Sequence, residues 1–366
     1  MKFGVNYARS LISNYDYGYL SNGELGISGL SDFYNGGSTG DFLYKFFPSS
    51  LVQPFAQYRL GFYAQDEWRV AHGLSLTLSL RGDHASNPVC QHNCFARTVQ
   101  PFTSLNHDVN IPYNQAIQIG QRQEFVEMTN LAWQPRFGFA WQPFGTGHNV
   151  VVRGGIGLFY DGVAGITTES ISQNPPYSNP FYVSSNNISP DEPSNIFKDA
   201  SDSNTAFLNA FATGGTLASI VAEVPAFTPP NLASAENKMR LPQYQEWNLE
   251  IQKGFGANTI VSVNYIGNHG IHELVPNFSI NGYADNFVGM PAAPLDERFA
   301  QVNFLQPAGV SSYNGMTISF RHNFSHGLIT ANYTYGHALD ILSNGGSTLP
   351  FIYSTNESTL YPQNPY

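Results

Sequence analysis

Charge is what this 366-residue sequence has least of: Asp, Glu, Lys and Arg together make 11%, against roughly 25% in soluble domains. Mean hydropathy is nevertheless only -0.22, so uncharged Asn, Ser, Gln, Thr and Gly supply the polarity. A surface so poor in charge would be poorly soluble if all of it faced water. The mixture suits a protein with lipid outside and a wet interior. A basic surplus is missing too: 16 bases stand against 26 acids, a net charge of -10. That gives no support for nucleic-acid binding, which needs a basic stripe. No apolar run approaches the ~18 residues of a transmembrane helix, so a membrane-spanning form has to be a β-barrel, the other fold that satisfies its backbone in hydrocarbon.

The opening "MKFGVNYARS" has Lys2 but no apolar stretch behind it, so it lacks the pattern of a signal peptide. It reads as a strand, and the chain is expected to begin in mid-fold. Cysteine is scarce. Cys90 and Cys94, in "VCQHNCFA", have a spacing that closes a small disulfide in an oxidising compartment. His92 between them permits a metal reading, but two sulfurs and one imidazole fall short of a four-ligand zinc site.

Catalytic patterns are also absent, and no enzyme or cofactor is expected. "GGIG" at 154–157 lies within a strand pattern, with no helix after it to receive a phosphate. In a strand, such glycines let a neighbouring element approach. "NHGIHE" brings together His269, His272 and Glu273, in a spacing that suits no common closed metal site; it reads as a solvated loop end. His322 and His326 flank a turn, and no serine sits in a nucleophile elbow.

Aromatic residues are abundant, with 27 Phe and 21 Tyr, and they fall in a period of two. In "RFGFAWQPFGTGHNVVVRGGIGLFYD", Phe137, Phe139 and Trp141 alternate with polar or small residues. After a turn, Val150, Val152, Ile156, Leu158 and Tyr160 share one parity. Leu74, Leu76, Leu78 and Leu80 alternate with Ser75, Thr77, Ser79 and Arg81. Trp247, Leu249 and Ile251 oppose Glu246, Asn248, Glu250 and Gln252. Val261, Val263 and Tyr265 oppose Ser262 and Asn264, and Met316, Ile318 and Phe320 oppose Thr317, Ser319 and Arg321. These are two-faced strands, grouped as hairpins over 56–84, 132–161, 243–269 and 312–340. A weaker pair, "KFGVNYAR" and "GELGISG", opens the chain.

The turns inside hairpins are tight ("AHG", "FGTGH", "FGAN", "FSHG"). The connections between hairpins are long, at 85–132, 161–242 and 270–311. In an up-and-down sheet that alternation trims one end and loads the other with loops, the short-periplasmic, long-extracellular layout of outer-membrane barrels. Phe144, Phe255 and Phe324 precede tight turns and Trp68 lies near the remaining one, which predicts a periplasmic aromatic girdle; plain abundance of Phe is the competing account. Predicted strands of about ten to thirteen residues exceed the ~5–6 usual in soluble sheets and match the ~9–11 that cross a bilayer. The greasy parity is therefore expected to face lipid. Arg81, Arg136, Arg153, Glu246, Glu250 and Arg321 occupy the other parity and are lumen-facing candidates. They either solvate a lumen and pair with one another, or line a plug-contact or permeation surface. One strand, "GFYAQDEWRV", carries an acid on each parity, Asp66 and Glu67. A bulge and a position beyond the hydrocarbon are both open. The loop 161–242, rich in Pro, Asn and Ser with Tyr177, Phe181 and Tyr182, reads equally as an exposed binding surface for a saccharide or peptide and as a mobile cover.

The segments "GFYAQDEWRV", "PRFGFAWQPFG" with "VVRGGIGLFYD", "QEWNLEIQKGFGANTIVSVNYIGNHG" and "YNGMTISFRHNFSHGLITANYTYGHALD" resemble the barrel of Oar-like TonB-dependent receptors over most of residues 56–340. The resemblance implies a bacterial outer-membrane protein with a barrel of about 22 strands, an N-terminal plug, often a carboxypeptidase-regulatory-like domain, and coupling to TonB through the plug. None of those N-terminal parts is found in residues 1–366. The end "LYPQNPY" is aromatic at Tyr366, but Pro362 and Pro365 are incompatible with a closing strand. The expected fold is therefore all-β: a partial transmembrane antiparallel up-and-down barrel, a meander of long hairpins with long extracellular loops, incomplete at both ends. Its expected function is ligand binding and energised uptake across the outer membrane. Expected partners are outer-membrane lipid, the missing plug and remaining strands, and an unknown ligand. A secreted β-rich adhesin or carbohydrate-binding sandwich and a passive porin are the alternatives.

Overall fold

A computed structural model of the chain describes residues 1–14, 21–27, 29–35, 42–145, 149–163, 165–184, 194–277, 280–282 and 293–340. Its main sheet contains a meander of nine long strands: β1 (Lys2–Asn14), β2 (Gln53–Ala71), β3 (Leu74–Ala85), β4 (Ala132–Trp141), β5 (Val150–Tyr160), β6 (Gln243–Phe255), β7 (Thr259–Asn277), β8 (Val302–Asn323) and β9 (Leu328–Asp340). Each pairs with the next, and every such pairing is antiparallel. Successive connections therefore lie at alternate ends. The short ones after β2, β4, β6 and β8 share one end, and the long ones share the other. The sheet is open: among the described residues β1 and β9 do not pair with each other.

The register carries two faces across the meander, because directly opposed residues in a ladder point to the same side. One row runs Val152, Ile251, Val263, Ile318 and Tyr333. The row one residue away runs Arg153, Glu250, Asn264, Thr317 and Thr334. The apolar face is uncovered: Ile251 is 50% exposed and Tyr333 62%. No second sheet packs on it among the described residues, whereas a soluble sandwich requires this parity to be buried. Gly154 lies on this face, and an added Cβ would meet the Phe139 ring at 2.7 Å. The glycines of "GGIG" admit side chains from the neighbouring strand.

Buried apolar residues collect at the other end. The long connections fold together into a body with its own core. Phe95 and Phe125 from 85–132 meet Val163, Ile171 and Met239 from 160–243. Phe102 and Tyr113 meet Phe207 and Ile220 of helices Ser194–Thr213 and Leu217–Glu223, together with Phe299 of the last long connection. Strand Leu232–Ala235 adds in parallel to the loop end of β8, and Val89–Cys90 adds to β2.

Several expectations change. "GELGISG" does not pair with β1; Glu24–Gly26 pairs with Phe42–Pro48 in a separate small sheet that also holds Ser178–Ser184. β1 reaches instead across a long connection to β2. β2, β7 and β8 run 19, 19 and 22 residues, well past the predicted length. "NHGIHE" consequently lies inside β7, not at a loop end. Period two fails there because register shifts fall between Ile271, Glu273 and Val275, with His272 at a φ of 58°. The loop 161–242 is largely ordered, and Phe181 is wholly buried beside Leu43 and Ile196 rather than displayed. Residues 341–366, including Pro362, Pro365 and Tyr366, lie outside the described residues.

Candidate functional site

The six charged candidates, Arg81, Arg136, Arg153, Glu246, Glu250 and Arg321, all fall on the polar face by register. They form two levels. Towards the loop end, Arg81 donates from Nε and Nη2 to the Asp83 carboxylate at 2.7 and 2.6 Å, and from Nη2 to Asn6 Oδ1 at 2.8 Å. Gln134 Nε2 donates to Asp83, and Arg136 Nη2 donates to Gln134 Oε1 at 3.0 Å. Arg136 also stacks on the Phe159 ring, 4.2 Å from its centroid. Gly157 is the cross-strand partner of both Arg136 and Glu246, and Asn268 Nδ2 donates to Glu246 Oε1 at 3.3 Å. A polar row thus crosses from β1 to β7.

Gly61 makes that crossing possible. It opposes both Asn6 and Asp83 in register, and an added Cβ would collide with Asp83, Asn6 and Arg81 side-chain atoms. Only a residue without a side chain leaves the corridor open. Nearer the tight turns, Arg153 stands opposite Glu250, and Arg321 opposes Ile260 and Thr330.

The acids of "GFYAQDEWRV" separate by face. Glu67 is on the polar side. Asp66 is on the apolar side, where it accepts from the Trp68 indole at 2.5 Å and pairs with the Met1 amino group at 3.1 Å. The bulge in β2 comes later, between Arg69 and Ala71, so it does not move either acid to the other face. Trp68, Phe144, Phe255 and Phe324 are all exposed near the tight-turn end.

The loop body has its own polar chemistry. Asp296 and Arg298 are wholly buried and joined by two hydrogen bonds, Nε to Oδ1 at 2.9 Å and Nη2 to Oδ2 at 2.7 Å. Arg298 also donates to the carbonyls of Asn106 at 2.6 Å and Ile111 at 3.2 Å. His107 Nδ1 lies 3.2 Å from Asp296 Oδ2. The pair therefore staples two separate long connections together. Cys90 and Cys94 are joined as a disulfide within the same body.

A small cavity opens between Arg97, Glu124, Ile171 and Ala233–Asn237, with about 20 Å³ of room for the centre of a water molecule. Glu124 is wholly buried; its Oε2 accepts from Thr168 Oγ1 at 2.7 Å, while Oε1 has no partner. Burial pushes its carboxyl up to about 8, against the lowering effect of the Thr168 and Thr167 hydroxyls. Arg97 donates from Nη2 to Gln121 Oε1 at 2.7 Å, but its Nε and Nη1 are buried and unpartnered. Burial lowers the Arg97 pKa from its ordinary value.

His269, His272 and Glu273 do not converge. His269 bonds to the Ser311 carbonyl, His272 to Arg240, and Glu273 accepts from the Ser311 hydroxyl. No cluster of three metal-ligating side chains occurs among the described residues. Sequence reasoning missed Asn6, Gly61, Asp83 and Gln134, although extending the parity of Arg81 and Arg136 by two residues reaches Asp83 and Gln134. Nothing in sequence marked Asp296, Arg298, Arg97 or Glu124.

An open meander with one apolar face, one polar face and long loops at one end has the build of a barrel wall. The chain belongs to the outer membrane beta barrel domain family, whose model matches residues 1–366. No curated protein matches it in sequence. Among solved structures it is similar to the FrpB iron transporter of Neisseria meningitidis (F5-1 variant), at 9% identity and a TM-score of 0.40 over 92% of this chain and 41% of that one. It is also similar to the outer membrane transporter YddB of Escherichia coli, at 10% identity and TM-score 0.37 over 93% and 34%. The siderophore receptor PirA of Pseudomonas aeruginosa gives 10% and 0.37 over 92% and 50%. The chain thus spans between about a third and a half of the structures it matches.

Proposed function

We propose that this chain forms part of the barrel of an Oar-like TonB-dependent receptor in the bacterial outer membrane, with its loop body at the cell surface. In this reading a plug and further strands complete the barrel, and TonB acts through that plug. The protein binds a ligand at its surface and takes it up by an energised route; it performs no catalysis. The observation that supports this most is the polar row from Asn6 through Arg81, Asp83, Gln134 and Arg136 to Glu246. A charged, mutually bonded row costs little in a wet lumen and ~2–4 kcal/mol per basic group against lipid at the midplane. It gives a plug something to dock on. Trp68, Phe144, Phe255 and Phe324 form the periplasmic girdle in this account, and the Cys90–Cys94 disulfide fits an oxidising exterior.

A photo-crosslinking residue at Glu250, in cells producing the complete protein, tests the reading. A receptor gives a crosslink to its own plug, mapped by mass spectrometry. A passive porin gives none, and that result would replace this proposal.

A further inference from the structure

Three buried, unpartnered polar atoms belong to two residues that line a single cavity in the loop body: Arg97 Nε, Arg97 Nη1 and Glu124 Oε1. Buried polar groups in folded proteins are almost always hydrogen-bonded, and an orphan demands a reason. Charged groups demand it most, because their desolvation is the most costly. The ordinary way to satisfy a buried guanidinium is a carboxylate of the same chain. Here no Asp or Glu oxygen lies within ion-pair distance of Arg97 among the described residues.

The surroundings are fixed rather than adaptable. Arg97 lies in strand Phe95–Thr98, paired with Ile117–Gln121, and its third nitrogen is held by Gln121. Ser234, also in the lining, has its hydroxyl already engaged with Thr98 and with the Phe102 amide. Thr168 on helix Gly165–Ser172 holds one Glu124 oxygen, and the other has no partner. The room available, about 20 Å³, exceeds the ~10–15 Å³ that one water needs but admits no sugar or aromatic ring.

We propose that this cavity is a subsite for a carboxylate group on a small ligand, with Arg97 donating from Nε and Nη1 and with Glu124 and Glu236 in its wall. The remainder of such a ligand stays outside, since only its terminal group fits. With its carboxyl pushed up to about 8, Glu124 carries its proton at neutral pH and does not repel the anion. Once ionised, it does. The assignment names a ligand chemistry for the receptor reading above and rests on the loop body being its ligand-receiving part. Binding is measured on the protein itself, without transport, so failure of this site is distinguishable from failure of that reading.

The test is thermal stabilisation and calorimetric binding of the purified complete protein in detergent, with acetate as the probe and chloride, phosphate and methylammonium as comparisons. Acetate should bind and methylammonium should not, and Arg97→Gln should weaken acetate at least tenfold, because a charge-assisted pair is replaced by a neutral one. Wild-type affinity should fall as pH rises through about 8, while Glu124→Gln should bind acetate and show no such fall. Chloride or phosphate binding as tightly as acetate means a general anion site and overturns the carboxylate assignment. Absence of acetate binding to the wild-type chain, or binding unchanged in Arg97→Gln, overturns the site altogether. Since Glu124→Gln keeps the shape of the wall, it remains decisive even where Arg97→Gln folds poorly.

Discussion

Arg298→Met should loosen the loop body without touching the barrel wall. Arg298 and Asp296 are both wholly buried, and the substitution removes four donated hydrogen bonds. The Asp296 carboxylate then keeps His107 and the Arg298 backbone amide, and no permanent cation. Leaving one member of a buried pair alone costs about 3–5 kcal/mol, whereas replacing both by apolar groups is often close to neutral. The carbonyls of Asn106 and Ile111, left without their donor, add to the cost in the single variant. The expected readout is amide hydrogen exchange over residues 102–117, which includes Phe102 and Tyr113 of the larger loop core. Exchange there should accelerate more than a hundredfold, the equivalent of roughly 3 kcal/mol of local opening. The double variant Asp296→Leu/Arg298→Met should exchange more slowly than the single one. Unchanged exchange in Arg298→Met would refute the staple and favour a loose cover over a folded body.

Other outcomes follow from the same geometry. Gly61→Val should cost about 1–3 kcal/mol through overpacking, since its side chain would occupy the corridor used by Asn6, Arg81 and Asp83; reduced assembly into the outer membrane is the measurement. Val263→Arg should lose ~2–4 kcal/mol, because its row neighbours Ile251 and Ile318 offer it no partner. Asn264→Arg, beside Glu250 in register, should assemble normally. A raised carboxyl means the folded state binds the proton more tightly, so the Glu124 contribution is present below 4.5 and is lost as pH rises to about 8. At roughly 1.4 kcal/mol per pH unit, loop-body stability should fall by a few kcal/mol over that window in wild type and stay flat in Glu124→Gln, read by exchange over residues 165–172.

What could be read from sequence was set by local periodicity. The Leu74–Leu80 and Trp247–Ile251 alternations fix a face with no tertiary information, and tight turns fix their hairpins. Contacts between distant segments were invisible. β1 finds β2 across a long connection, and its nearer neighbour in sequence, Glu24–Gly26, goes elsewhere. The outer part of β7 was lost because the shifts around Glu273 break the period. Helix Ser194–Thr213 carries a legible signal that was passed over: Ile196, Ala200, Ser203, Phe207 and Ala210 are buried at helical spacing. Composition alone suggested a loop because the stretch around it is rich in Pro, Asn and Ser. Arg97, Glu124, Asp296 and Arg298 acquire meaning only when their segments meet.

The central claim is that the alternating parity divides lipid from lumen, and depth-resolved quenching along β7 tests it most directly. A small fluorophore is attached to a single cysteine placed in turn at Val261, Ser262, Val263, Asn264 and Tyr265, and the protein is assembled in vesicles containing brominated lipid. Strong quenching at Val261, Val263 and Tyr265, with little at Ser262 and Asn264, is the predicted result. Quenching at Ser262 and Asn264 but not at their neighbours, or no alternation at all, would contradict it.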